Sequence, residues 1–182
     1  MKLKSKWPVR RFFAFLGALY LFCAVTPLLF AESGTAKSES VFRIYDTATE
    51  TVRTVNDLDF LCGALPCEMA VSAPDEALKA QIIAIHTLYD RKRRENTGKD
   101  FDFTCDSVEK SIYTVDAGLT DEEQNRVRAL CLSVLDKEIY FENEPIDACY
   151  FAISAGCTQP FENVWPEKSY PYLTAVACPS DL

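Results

Sequence analysis

PDEALKAQIIAIHTLYDRKRRE, residues 74–95, is the stretch on which the fold class turns. Pro74 suits a first-turn position, and Asp75 and Glu76 complement the positive end of a helix dipole. Leu78, Ile82, Ile85 and Tyr89 then recur at i, i+4, i+7 and i+11, one apolar face of a helix. The spacing predicts a helix buried on that face and stopping by Gly98. The run Arg91-Lys92-Arg93-Arg94 suits a solvated C-terminal turn, with an anionic polymer as the other reading.

Working outward, Val41–Tyr45 and Thr51–Val55 alternate in polarity around Asp46-Thr47-Ala48-Thr49 and predict a hairpin. Asn56 or Asp57 is placed to cap a short helix through Leu61, ended by Gly63 and Pro66. Downstream, Thr120 with Glu123 forms a capping box before Val127, Leu130, Cys131 and Val134. A strand at Glu138–Phe141, a turn at Glu142-Asn143-Glu144-Pro145 and a strand at Ile146–Ile153 follow, broken at Ser154-Ala155-Gly156. This order of elements reads as α+β, a single domain over residues 41–182.

The composition of the 182 residues, 48% apolar and 25% charged, is that of a globular chain and excludes a disordered tail or a fibrous repeat. The net charge is −8. Residues 1–40 hold 6 of the 19 basic and 2 of the 27 acidic side chains, so residues 41–182 carry −12. Phosphate backbones would repel such a domain, and no nucleic-acid partner is expected.

Lys2, Lys4, Lys6, Arg10 and Arg11 precede an uncharged run from Phe12 to Phe30. Residues 1–31 read as a signal-anchor or a signal peptide cleaved after Ala31, and residues 32–40 as a linker. The expectation is an exported domain behind an N-terminal hydrophobic helix. It would sit at the cell membrane, single-pass through residues 12–30 with the N-terminus in the cytoplasm, or be secreted if cleaved. Seven of the eight cysteines lie in residues 41–182, an odd count that leaves the pairing open. No Cys-x-x-Cys occurs and His86 is the one histidine, so no metal and no cofactor are expected.

Glu68 stands between Leu65-Pro66-Cys67 and Met69-Ala70-Val71. A carboxyl in apolar company is desolvated and can retain a proton for general-acid work. His86 adjoins Ile82 and Ile85, where a buried structural imidazole is the default. Lys79 borders the buried helix face. Ser154 lies in a turn able to present hydroxyl and backbone N–H groups to a ligand.

Glu68-Met69, then Glu76-Ala77-Leu78-Lys79-Ala80-Gln81, together resemble the stage II sporulation protein D (SpoIID/LytB) family. Pro145-Ile146-Asp147-Ala148-Cys149-Tyr150, Ser154, Gly156 and Thr158 continue the likeness. Val164-Trp165 and Tyr170-Pro171-Tyr172-Leu173-Thr174-Ala175-Val176 carry it toward the C-terminus. The resemblance implies a peptidoglycan lytic transglycosylase that cuts stem-peptide-free glycan strands during engulfment. Glu68 falls on the family's catalytic glutamate, and Lys79, His86, Tyr150 and Ser154 fall along the substrate groove. Glycan strands, and other cell-wall hydrolases of the engulfment machinery, are the implied partners.

The sequence also departs from the family pattern. His86 stands where an arginine is usual, Lys110 occupies the second cysteine position of a frequent His/Cys site near Cys105, and Ser111 replaces a glutamine. Typical members continue beyond the position of Leu182, so the C-terminal part of the family domain is expected to be missing. The alternatives are therefore a non-catalytic glycan-binding module that recruits or stimulates another hydrolase, and an interaction domain with no glycan role.

Overall fold

The computed structural model describes residues 40–105 and 112–181. Strand β1, Val41–Asp46, pairs antiparallel with β2, Thr51–Asn56, with Phe42 opposite Val55 and Asp46 opposite Thr51. The Asp46 carboxylate accepts from the amides of Ala48 and Thr49 at 2.9 and 3.2 Å and so closes the hairpin. Strand β3, Phe103–Cys105, adds parallel to β1, giving the order β2-β1-β3. Phe42 and Ile44 alternate onto the covered face of β1.

Helix α1 runs Asp57–Glu68, capped by Asn56, whose side chain accepts from the Asp59 amide at 2.8 Å. It outlasts the expected end at Gly63 and Pro66, and tertiary packing explains why. Residues 113–114 press so closely on Gly63 that a Cβ there would stand 2.3 Å from the Thr114 carbonyl. The glycine is therefore a contact point and not a terminator. Pro66 lacks the N–H that would reach the Cys62 carbonyl, but burial of Leu61, Ala64 and Leu65 holds the helix together through it.

Helix α2 spans Asp75–Glu95 and buries Leu78, Ile82, Ile85 and Tyr89. Phe42, Phe60, Tyr89 and Phe103 form the aromatic centre of the core, with ring centroids 4.5 to 5.7 Å apart. The cationic run does not end in solvent as expected. Arg93 bonds Asp57 at 2.9 Å and also Asp90, Arg94 bonds Asp90 and the Tyr140 hydroxyl, and Arg91 donates to the Pro145 carbonyl at 2.8 Å. Buried Asp90 is the attraction. Arg91 and Arg94 thereby tie the later chain to α2.

Helix α3, Asp121–Val134, opens on the Thr120–Glu123 capping box and buries Val127, Leu130, Cys131 and Val134. Strands β4, Tyr140–Phe141, and β5, Glu144–Pro145, form a two-stranded hairpin, its turn residues Glu142 and Asn143 both at positive φ. The expected strand at Ile146–Ile153 does not form. Its backbone is engaged otherwise: the Asp147 amide donates to the Tyr172 hydroxyl at 3.0 Å, and the Cys149 amide to the Asp147 carbonyl at 2.9 Å. A short helix α4, Phe161–Val164, and a 3₁₀ turn, Pro179–Asp181, complete the described chain.

The expected location at a membrane is corrected. Among the described residues no helix is long and apolar enough to cross one. Residues 12–30, on which that expectation rested, lie outside the described residues, as do the linker before Ser40, Lys110 and Ser111.

Candidate functional site: a glutamate–tyrosine pair beside an aromatic groove

Glu68 is the last residue of α1 and is half-buried. The next residue, Met69, turns to extended backbone while its amide still donates to the Leu65 carbonyl at 3.0 Å. The carboxyl therefore projects from a fixed helix end. The Tyr150 hydroxyl donates to it across 82 positions of sequence. Burial first, then the charge of Glu68, pushes the Tyr150 phenol well above its ordinary value, so it stays protonated and a donor. Tyr89 is raised for the same two reasons, with Cys105 and Cys67 adding to them. Burial, then Glu68, also raises the Cys67 thiol, which donates to the Gly63 carbonyl at 3.3 Å. The carboxyl thus sits among phenols and a thiol that carry no charge at neutral pH.

Tyr150 is also one wall of a groove of 530 Å³ that runs past Ser154, Phe161, Trp165, Tyr172 and Val176. Phe161 and Trp165 stack with centroids 4.6 Å apart, and Trp165 remains 45% exposed, so its ring is available to a ligand. Ser154 donates from both its amide and its hydroxyl to one oxygen of Asp181, at 2.8 and 2.7 Å. Those two bonds hold Asp181 below the usual carboxylate range and fix the loop that floors the groove.

Of the residues singled out in the sequence, Glu68 and Tyr150 meet, and Ser154 shares the groove with Tyr150. Lys79 pairs with Glu76 at 2.8 Å on the surface of α2 and does not line the groove. His86 is buried beside Asp57 and Glu138, its Nε2 at 3.5 and 3.8 Å from their oxygens. Asp57 begins α1 and Glu68 ends it, so the structure sets His86 at the opposite end of that helix. Among the described residues no cluster of three or more His, Cys, Asp or Glu is placed to hold a metal.

Sequence reasoning passed over Tyr89, Cys67 and Asp181. Tyr89 read as core, which it also is. Its hydroxyl also feels the charge of Glu68, 21 positions earlier, which after burial raises its value. Asp181 carried no signal, because its partner lies in a loop 27 positions away.

The family model described as "Stage II sporulation protein" matches residues 45–133. The chain is similar to the stage II sporulation protein D of Bacillus subtilis (strain 168), 26% identical over 148 residues, covering 76% of this chain and 43% of that protein. The Bacillus amyloliquefaciens protein of the same name is 28% identical over 148 residues, with the same two shares. The chain thus spans less than half the length of the curated relatives it matches.

Proposed function

The chain belongs to the stage II sporulation protein D family, and from that premise we propose that it acts on the cell wall in sporulation, as a lytic transglycosylase of stem-peptide-free peptidoglycan strands. The observation that carries the reading is that Tyr150, the partner of Glu68, also walls the groove lined by Trp165 and Ser154. Sugar rings present apolar C–H faces that pack on exposed aromatic rings, while their hydroxyls bond to serine and backbone groups. A peptide-free strand carries little charge, and the aromatic lining suits it better than the acidic surface would suit a polyanion.

One carboxyl suffices for the chemistry. Protonated Glu68 gives its proton to the glycosidic oxygen between N-acetylmuramic acid and N-acetylglucosamine, and the bond from the muramoyl anomeric carbon breaks. The carboxylate left behind takes the proton from the muramoyl C6 hydroxyl. That oxygen closes on the anomeric carbon and forms the 1,6-anhydro ring. No water enters, so the second carboxyl of a hydrolytic glycosidase has no task. Tyr150 orients the Glu68 oxygens through both steps.

The groove also favours a second reading, glycan binding that recruits or stimulates another wall hydrolase, because Trp165 and Ser154 would hold a strand without Glu68. One experiment tests both readings. The chain and its Glu68→Gln variant are incubated with peptide-free strands, and products are followed by mass spectrometry beside co-sedimentation. Anhydro-muramoyl ends that vanish in the variant support the enzyme. Equal co-sedimentation of both proteins without products supports the binding module, and strands that are neither cut nor co-sedimented would overturn the proposal.

A further inference from the structure

A further cavity, of 320 Å³, is walled by Arg91 of α2, by Phe141, Glu142 and Glu144 of the β4–β5 hairpin, and by Tyr170 and Tyr172. Tyr172 also walls the groove beside Tyr150. A file of rings runs from one space to the other. Phe141, Tyr172, Tyr170, Phe161 and Trp165 follow one another with centroids 5.2, 5.3, 4.9 and 4.6 Å apart. Its two ends reach solvent, Phe141 37% and Trp165 45% exposed, whereas Phe161 is buried and supports its neighbours. We propose that this cavity is a second saccharide subsite, taking a neutral N-acetylated sugar unit of the strand whose other units lie in the groove.

The lining matches that ligand group by group. A pyranose ring has an apolar C–H face and a rim of hydroxyl and acetamido groups, so it needs a ring to stack on with donors and acceptors around it. Phe141 and Tyr172, tilted by 49°, supply the faces. The Glu142 and Glu144 carboxylates have no partner among the described residues and can accept from sugar hydroxyls. Arg91 uses three of its five N–H groups, on Glu95, the Pro145 carbonyl and the Tyr170 hydroxyl, and keeps two donors. An ammonium group is the rival occupant for rings among carboxylates. The Arg91 guanidinium already lies 5.1 Å from the Tyr170 centroid, so the cavity holds its own cation and a neutral ligand is favoured.

The backbone of the hairpin turn points the same way. Glu142 has φ 49° and Asn143 φ 67°. Asparagine adopts the left-handed region readily, whereas a glutamate does so at a cost that glycine would remove. The side chain held in that conformation is one that lines the cavity, as expected of a turn residue whose carboxylate meets a ligand. The inference rests on the reading that the groove holds a glycan strand, and it extends the contact with that strand past Tyr172.

The test titrates di-, tetra-, hexa- and octasaccharides of peptide-free strand into the full chain carrying Glu68→Gln, so that nothing is cut, and follows binding by calorimetry. Affinity should rise with length until the cavity is filled. Phe141→Ala and Glu144→Gln, each added singly, should weaken octasaccharide binding about tenfold, the loss of one stacked ring or one charged hydrogen bond, and leave the shortest oligomer that binds as it was. Trp165→Ala should weaken every length. Glu142→Gly should raise the thermal midpoint by relieving the left-handed glutamate, yet weaken octasaccharide binding, a combination that a purely structural turn residue would not give. Equal affinity at all lengths, or losses in Phe141→Ala and Glu144→Gln that are the same for short and long oligomers, would overturn the second subsite and leave the groove reading standing. Failure of every oligomer to bind would overturn both.

Discussion

His86 Nε2 stands 3.5 Å from Asp57 Oδ2, and Asp57 begins the helix that Glu68 ends. Eleven steps at 1.5 Å put those two helix positions about 16 Å apart. The imidazole therefore serves the acid at the far end of α1. Arg93 bonds the other Asp57 oxygen at 2.9 Å and reaches Asp90 with its second nitrogen, so one arginine joins α1 to α2 there. The helix that presents Glu68 is anchored at its start by charge and along its length by apolar packing.

That anchor is pH-dependent. Burial opposes the charge on Asp57, but His86, Arg93 and Ser40 outweigh it and hold the carboxyl below its ordinary 3.8. A folded value below the unfolded one means the stabilisation is fully present above about pH 4 and is lost as pH falls through the lower value. Chemical denaturation of wild type and Asp57→Asn should show a gap that is constant from pH 5 to 7 and narrows below pH 4. A gap that is flat down to pH 2 would contradict this.

Arg43 and Asp102 bind β1 to the chain before β3. The guanidinium reaches one oxygen of Asp102 at 2.6 and 3.2 Å, and the Arg43 amide reaches the other at 2.7 Å. Asp102 is 1% exposed, whereas the arginine side chain keeps 35%. Removing the arginine strands a buried anion, while removing the anion leaves a cation that can reach water. Arg43→Ala should therefore cost about 3 kcal/mol and Asp102→Asn about half of that, measured by denaturant unfolding with unchanged slope. Equal losses would show that the backbone bond dominates.

Gly63 is the close-approach point between α1 and residues 113–114, where a Cβ would meet the Thr114 carbonyl at 2.3 Å and the Tyr113 ring at 2.5 Å. A carbonyl cannot step aside as a flexible side chain can. Gly63→Ala should lose about 2 kcal/mol despite the better helix propensity of alanine. A stabilised variant would mean that the contact is looser than described.

Tyr150→Phe removes only the hydroxyl on Glu68. If Glu68 is the acid and base, formation of anhydro-muramoyl ends should slow about tenfold, the worth of one hydrogen bond to a charged group. Strand co-sedimentation should be unchanged, since the ring still walls the groove. Equal rates for the two proteins would remove Tyr150 from the chemistry.

Much of the scaffold was legible because its signals are local. Thr120 and Glu123 are three residues apart and form the capping box read from them, and the period of Leu78, Ile82, Ile85 and Tyr89 marks the buried face of α2. Gly63 and Pro66 misled for the same reason: a helix propensity is local, and tertiary burial outweighed it. The stretch Ile146–Ile153 looked like a strand by its apolar content, yet its amides turn to a tyrosine hydroxyl and to the carbonyl of Asp147.

By itself, the sequence determined the family, the α+β class and the candidate acid, because composition, periodicity and short motifs are carried by neighbouring residues. Tertiary structure decided which side chains meet. It brought Tyr150 to Glu68 and gave both His86 and Arg93 to Asp57. Those pairings cross separations of 29 to 82 positions and depend on how helices pack, which no local pattern encodes.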